Sequence, residues 1–132
     1  MNKAEVFKEV EGLFGSVPDW LRDMPESVVG DLWDVMKNVE LGTTSIPNKY
    51  KELIGLAVAA TIKCRYCTFF HTEAAKANGA TDAEIKEALL MGGATNLFST
   101  WLNGSQYGYE KLKRETTKML EGARKQMQAS VR

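Results

Sequence analysis

Histidine occurs once in the 132 residues and cysteine twice, and neither sign of charge predominates. Each scarcity excludes something. With 17 basic against 17 acidic residues the net charge is zero, so no nucleic-acid footprint covers the molecule and no nucleic-acid partner is expected. No run reaches the roughly 18 uninterrupted apolar residues that span a bilayer. The start, MNKAEVFKEV, is a charged amphipathic pattern without a signal peptide's apolar stretch. A cytoplasmic protein with no membrane partner is the expectation, and in that compartment a structural disulfide is disfavoured because thiols are kept reduced. The chain also lacks internal repeats, low-complexity linkers and convincing strand patterns. It is read as one all-α domain over residues 1–132, with 44% hydrophobic residues to build its core.

What is present is helical periodicity. Val6, Phe7, Val10, Leu13 and Phe14 recur at steps of three and four, which predicts a first amphipathic helix broken by Gly15 to Pro18. Pro25 suits a first helical position, and Val28, Val29, Leu32, Trp33, Met36 and Val39 form the stripe of a second helix. The run KELIGLAVAATI, ending at Ile62, is apolar on nearly every side and reads as a central buried helix. Nothing in the sequence decides whether residues 48–78 are one kinked helix or two. Asn78-Gly79 looks like a left-handed helix end, Thr81 with Glu84 like a capping box, and Gly92-Gly93 like a break. Gly104 and Gly108, one turn apart, imply a turn or the close approach of another helix. Charge is unevenly spread: residues 1–46 hold four basic and nine acidic side chains, residues 111–132 seven and two. That fits either a contact between subunits or a solvated tail.

Both cysteines and the histidine fall within CRYCTFFH, residues 64–71. On a helix, Cys64, Cys67 and His71 lie at steps of three and four and project from one face. A helix opening near Cys64 would point free N–H groups at that sulfur and favour thiolate, with Lys63 and Arg65 adding positive charge. Cys67 instead has His71 one turn on, within reach of a proton relay. Which sulfur attacks first stays open. Haem attachment would need histidine where Thr68 stands. A structural zinc site would need Glu52 as an unusual fourth ligand beside Cys64, Cys67 and His71. A thioredoxin-like motif would follow a strand, and packing of two small buried residues is the remaining alternative. Glu52 opens an otherwise apolar helix. It is either solvated at a helix N-terminus or paired with His71, whose tautomer it would then fix so that the ring could draw a proton from Cys67.

Glu52, eleven intervening residues, Cys64-Arg-Tyr-Cys67, three more residues and His71 together resemble the active-site motif of the AhpD-like alkylhydroperoxidases of the carboxymuconolactone decarboxylase superfamily. The resemblance covers roughly residues 45–105. It implies a helical fold assembled as trimers or hexamers. It also implies a cofactor-free thiol peroxidase and disulfide oxidoreductase, in which Cys67 attacks an organic hydroperoxide, Cys64 resolves the sulfenic acid as a disulfide, and Glu52 and His71 relay the proton. Reduction would come from a dithiol donor, which in some relatives is a lipoylated protein. The chain departs from the best-studied members at Tyr66, where they carry a histidine. A neutral phenol donates a hydrogen bond but is no base near neutral pH, so the relay implied here is shorter. Two other readings stand beside this one: a decarboxylase acting on a lactone or β-keto acid, which would not need the cysteines, and a non-enzymatic helical oligomer that senses redox state.

Overall fold

The computed structural model describes residues 1–130, and among them every regular element is helical. Two compact units divide the chain, Met1–Leu90 and Met91–Arg132.

In the first unit, α1 (Lys3–Phe14) opens with a reciprocal cap. The Asn2 side chain accepts from the Glu5 N–H at 3.0 Å, and Glu5 accepts from the Asn2 N–H at 2.9 Å. Gly15, at φ 75°, ends it. Val6 and Val10 are buried, whereas Leu13 and Phe14, expected on the same face, are exposed in the last turn. After the short α2 (Asp19–Arg22), Pro25 stands as the N-cap of α3 (Glu26–Val35), one position earlier than predicted. The stripe that continues through Met36 and Val39 is not α-helical to its end: Met36–Leu41 widens into a π-helical turn. Trp33 fills the centre of a core made with Val6, Val10, Val17, Leu21 and Val29. Its indole N–H donates to Glu9 Oε2 at 2.8 Å, and the same oxygen takes a bond from Lys37 Nζ at 2.8 Å.

The segment left undecided in the sequence is two helices, α4 (Asn48–Thr61) and α5 (Arg65–Ala77). Two bonds close the end of α4: Cys64 N–H to Ala59 O at 2.9 Å and Lys63 N–H to Ala60 O at 3.1 Å. This is the paired-bond ending usually built on glycine, and here Lys63 takes the left-handed conformation, φ 59°. The end of α5 repeats the pattern with Gly79 at φ 85°, where Ala80 N–H reaches Ala75 O and Gly79 N–H reaches Lys76 O, each at 2.9 Å. A second small core joins α4 and α5 to α6 (Asp82–Gly104) through Leu56, Ala75 and Ile85. The salt bridge from Lys49 to Glu84, 2.8 Å, lies beside it. The expected central helix is therefore only one-faced, since Glu52, Leu56 and Ala59 are buried while Ile54 and Val58 are exposed.

Thr81 and Glu84 form the predicted capping box at the start of α6, with bonds of 2.8 and 3.1 Å. Gly92-Gly93 does not break this helix. Two glycines cost helix stability but neither forces a turn, and strong helix formers such as Ala88, Leu89, Leu90 and Met91 carry the ladder into them. The turn comes between Gly104 and Gly108, with Gln106 at φ 52°, before α7 (Tyr109–Ser130). In the second unit the apolar side chains Leu97, Phe98 and Trp101 of α6 are largely exposed.

Candidate functional site

The site is made by the α4–α5 corner. Because α4 ends in the two-bond closure at Lys63, Cys64 leaves it in extended conformation, φ −84° and ψ 98°, and becomes the N-cap of α5. Its sulfur accepts from the Cys67 N–H at 3.3 Å, so a thiol takes the part that Ser, Thr, Asp or Asn usually plays. Cys67, one turn along, brings its sulfur within 2.9 Å of the Cys64 sulfur, with one thiol donating to the other. Both cysteines are free, Cys64 half-buried and Cys67 exposed. Next on the same face comes His71. Its Nδ1 lies 2.7 Å from Glu52 Oε2, a bond from α5 back to α4. Glu52 is only 2% exposed, so the solvated alternative for this carboxylate does not hold. With the carboxylate accepting, Nδ1 carries the proton, which in a neutral ring leaves the lone pair on Nε2. Phe70 meets the imidazole edge-on, centroids 5.2 Å apart at 75°.

Electrostatics separate the two thiols. Cys64 is held below the usual thiol range, first by the hydrogen bond from the Cys67 thiol and then by the Cys67 and Tyr66 backbone N–H groups. The charges of Lys63 and Arg65, credited in the sequence reading, are not what lowers it: Arg65 lies over the Tyr66 ring, 5.4 Å from its centre. Cys67 is pushed up, first by its bond to the Cys64 sulfur, then by desolvation and the Cys64 charge, and lastly by Glu40. Tyr66 itself is 77% exposed.

A cleft of about 530 Å³ reaches one member of the pair, Cys67. Its walls include Val39 and Glu40 from the π-helical turn, Ile46 from the following loop, and Gly55, Val58 and Ile62 from the α4 region, with Cys67 and His71 in the lining. All four residues singled out in the sequence thus meet at one corner. Sequence reasoning missed the contribution of Glu40, which nothing in the pattern marks. It also missed Gly55, whose signal was present: a glycine inside an alanine-rich helix has a cost that calls for a reason. No group of three or more His, Cys, Asp or Glu side chains among the described residues is arranged to hold a metal ion, and no helix of the described residues is long and apolar enough to cross a membrane.

Comparison with known proteins agrees with this geometry. The structure is similar to the crystal structure of the alkylhydroperoxidase AhpD core from Rhodospirillum rubrum, with a TM-score of 0.74 and 26% sequence identity over 83% of this chain and 84% of that one. No curated protein matches the sequence. The sequence pattern of the carboxymuconolactone decarboxylase family matches residues 29–107, more than half of the chain and the whole of the corner just described. The chain belongs to the carboxymuconolactone decarboxylase family, as one of its AhpD-like members.

Proposed function

We propose that the protein is a thiol-dependent peroxidase and disulfide oxidoreductase that cycles Cys64 and Cys67 between dithiol and disulfide. The observation that carries this reading is an apolar-walled cleft lined by Cys67, whose sulfur is in contact with that of Cys64, and by His71, whose ring is bonded to the Glu52 carboxylate. A pair used only for packing requires neither the buried Glu52–His71 bond nor access to a cleft.

The order of roles is the one that the family resemblance implies, and the asymmetry of the pair is compatible with it. Cys67 rests as a protonated thiol and needs a base to become a nucleophile. His71, with Nδ1 on Glu52, is that base. The Cys67 sulfur attacks one oxygen of an organic hydroperoxide, the O–O bond breaks, the alcohol leaves with a proton, and Cys67 becomes sulfenic acid. Cys64, whose thiol ionises more easily, then attacks the sulfenic sulfur and expels water as the disulfide forms. A dithiol donor, of which a lipoylated protein is one kind, gives two electrons and two protons and is itself oxidised to a disulfide. None of these steps uses a cofactor. The aliphatic walls of the cleft favour a hydroperoxide with an organic body.

The capping position of Cys64 favours a second order of events, in which the Cys64 thiolate attacks first. Cys67→Ser separates the two. Under the proposed order, brief exposure to one equivalent of an organic hydroperoxide removes two hydrogens from the reduced protein and maps to a Cys64–Cys67 disulfide, and the variant leaves Cys64 unoxidised. Oxidation of Cys64 at the parental rate in Cys67→Ser would establish the reverse order. No oxidation in either protein would overturn the peroxidase reading and favour decarboxylase chemistry, which survives replacement of both cysteines. We further propose that the chain works as a homo-oligomer, a trimer or hexamer. Trp101, 70% exposed, and its neighbours Leu97 and Phe98 support that reading, since a contiguous apolar surface of this kind is normally covered.

A further inference from the structure

Gly55 gives its space to a side chain of the site, whereas a Cβ at Gly30 or Gly42 would meet a backbone oxygen, of Met1 or of Lys37. The backbone at Gly55 does not require glycine, because only Gly15 and Gly79 have positive φ, and a helix-interior glycine weakens the helix. Space does require it. A Cβ at position 55 would stand 2.6 Å from Cε1, 2.7 Å from Nδ1 and 2.7 Å from Nε2 of His71. Near-equal distances to three ring atoms put that carbon over the ring face, so the imidazole lies flat on the bare backbone of α4. Glu52, whose carboxylate fixes the ring edge, is one turn earlier on the same face. By contrast, a Cβ at Gly12 in α1 would meet nothing within 4 Å.

We propose that Gly55 is a positioning residue for His71: the missing side chain is a seat that lets the ring approach α4 closely enough to bond Glu52. Glu52 supplies the polar anchor and Gly55 the flat support. Adding one methyl group forces the ring outward, and any outward movement stretches the 2.7 Å bond that sets its tautomer. The catalytic consequence rests on the thiol-redox reading above, whereas the seating of the ring does not.

The test is G55A in the full chain, with G12A as a helix-glycine control. Because His71 is the only histidine, its ring nitrogens give unambiguous long-range ¹H–¹⁵N correlations. Wild type and G12A are expected to show the Nδ1-protonated tautomer, and G55A to lose that pattern while its circular dichroism stays helical. Peroxide-dependent disulfide formation slows roughly 10²-fold in G55A, the scale of an ångström's misplacement of a catalytic group. An unchanged tautomer pattern in helical G55A overturns the proposal. Should G55A be too unstable for spectroscopy, H71A decides: with the ring removed, adding G55A is expected to leave the urea midpoint of H71A unchanged or raise it. A fall equal to that caused by G55A alone would show that the methyl group collides with something other than the imidazole, and would also overturn it. Failure of the wild type to react with peroxide would refute the proposed function and leave both of these measurements decisive for Gly55.

Discussion

Replacing Glu52 by Gln and His71 by Ala perturbs the same bond from opposite sides, and the two losses should be unequal. Glu52 is 2% exposed and its Oε2 lies 2.7 Å from His71 Nδ1. A hydrogen bond to a charged group contributes about 1.5–3 kcal/mol and a neutral one about 0.5–1.5 kcal/mol. Glu52→Gln keeps the shape and an amide oxygen able to accept from Nδ1, so it should cost only the difference, about 1–1.5 kcal/mol. His71→Ala removes the donor and strands a buried carboxylate, for which about 3–5 kcal/mol is the usual scale. The double variant removes the stranded charge and should recover part of that loss. Urea denaturation followed by circular dichroism measures all three. Under the proposed mechanism activity should rank in the same order, with His71→Ala losing the whole general-base contribution, about 10²–10⁴-fold, and Glu52→Gln less. If His71→Ala proved no more destabilising than Glu52→Gln, the carboxylate would not depend on the ring, and the relay drawn from this bond would be wrong.

Two further outcomes depend on titration. Glu9 is held below the usual carboxylate range, first by its bond from Lys37 and then by the Trp33 indole. Its stabilising contribution is therefore present above the ordinary value of 4.5 and is lost as pH falls through the lowered one, so thermal unfolding monitored below pH 4.5 should fall more steeply in wild type than in Glu9→Gln. For the thiols, alkylation of the reduced protein by iodoacetamide at neutral pH, mapped by peptide mass, should modify Cys64 ahead of Cys67, because hydrogen bonds lower the first and raise the second. Faster labelling of Cys67 would mean that its exposure outweighs the asymmetry.

Much of the corner was legible because its residues are rare or sit at helical spacing. Cys64, Cys67 and His71 follow the step of a helix face, and the caps at Asn78-Gly79 and Thr81–Glu84 carry their usual residues. The break between α4 and α5 was illegible because Lys63 adopts a conformation that sequence rules reserve for glycine or asparagine. Gly92-Gly93 misled for the converse reason: a residue that permits a turn does not impose one. Burial was harder still. Ile54 and Val58 belong to a run that reads as buried on nearly every side, yet they lie on the surface of the chain, in the lining of the cleft, because an apolar pattern does not distinguish a core from the wall of a cleft. The π-helical turn at Met36–Leu41 leaves no pattern of its own, and with it the wall containing Glu40 went unseen.

The sulfur that caps α5 also has a redox consequence. In the dithiol state Cys64 offers the Cys67 N–H a sulfur rich in electron density, and the hydrogen bonds that lower its pKa stabilise the reduced protein. A disulfide sulfur carries no charge and is a poorer acceptor, so that stabilisation is missing after oxidation. Whatever favours the reduced state raises the reduction potential of the couple. In the proposed cycle the helix end thereby makes a disulfide between Cys64 and Cys67 easy to reopen, as a working disulfide requires and one built to hold a fold together does not.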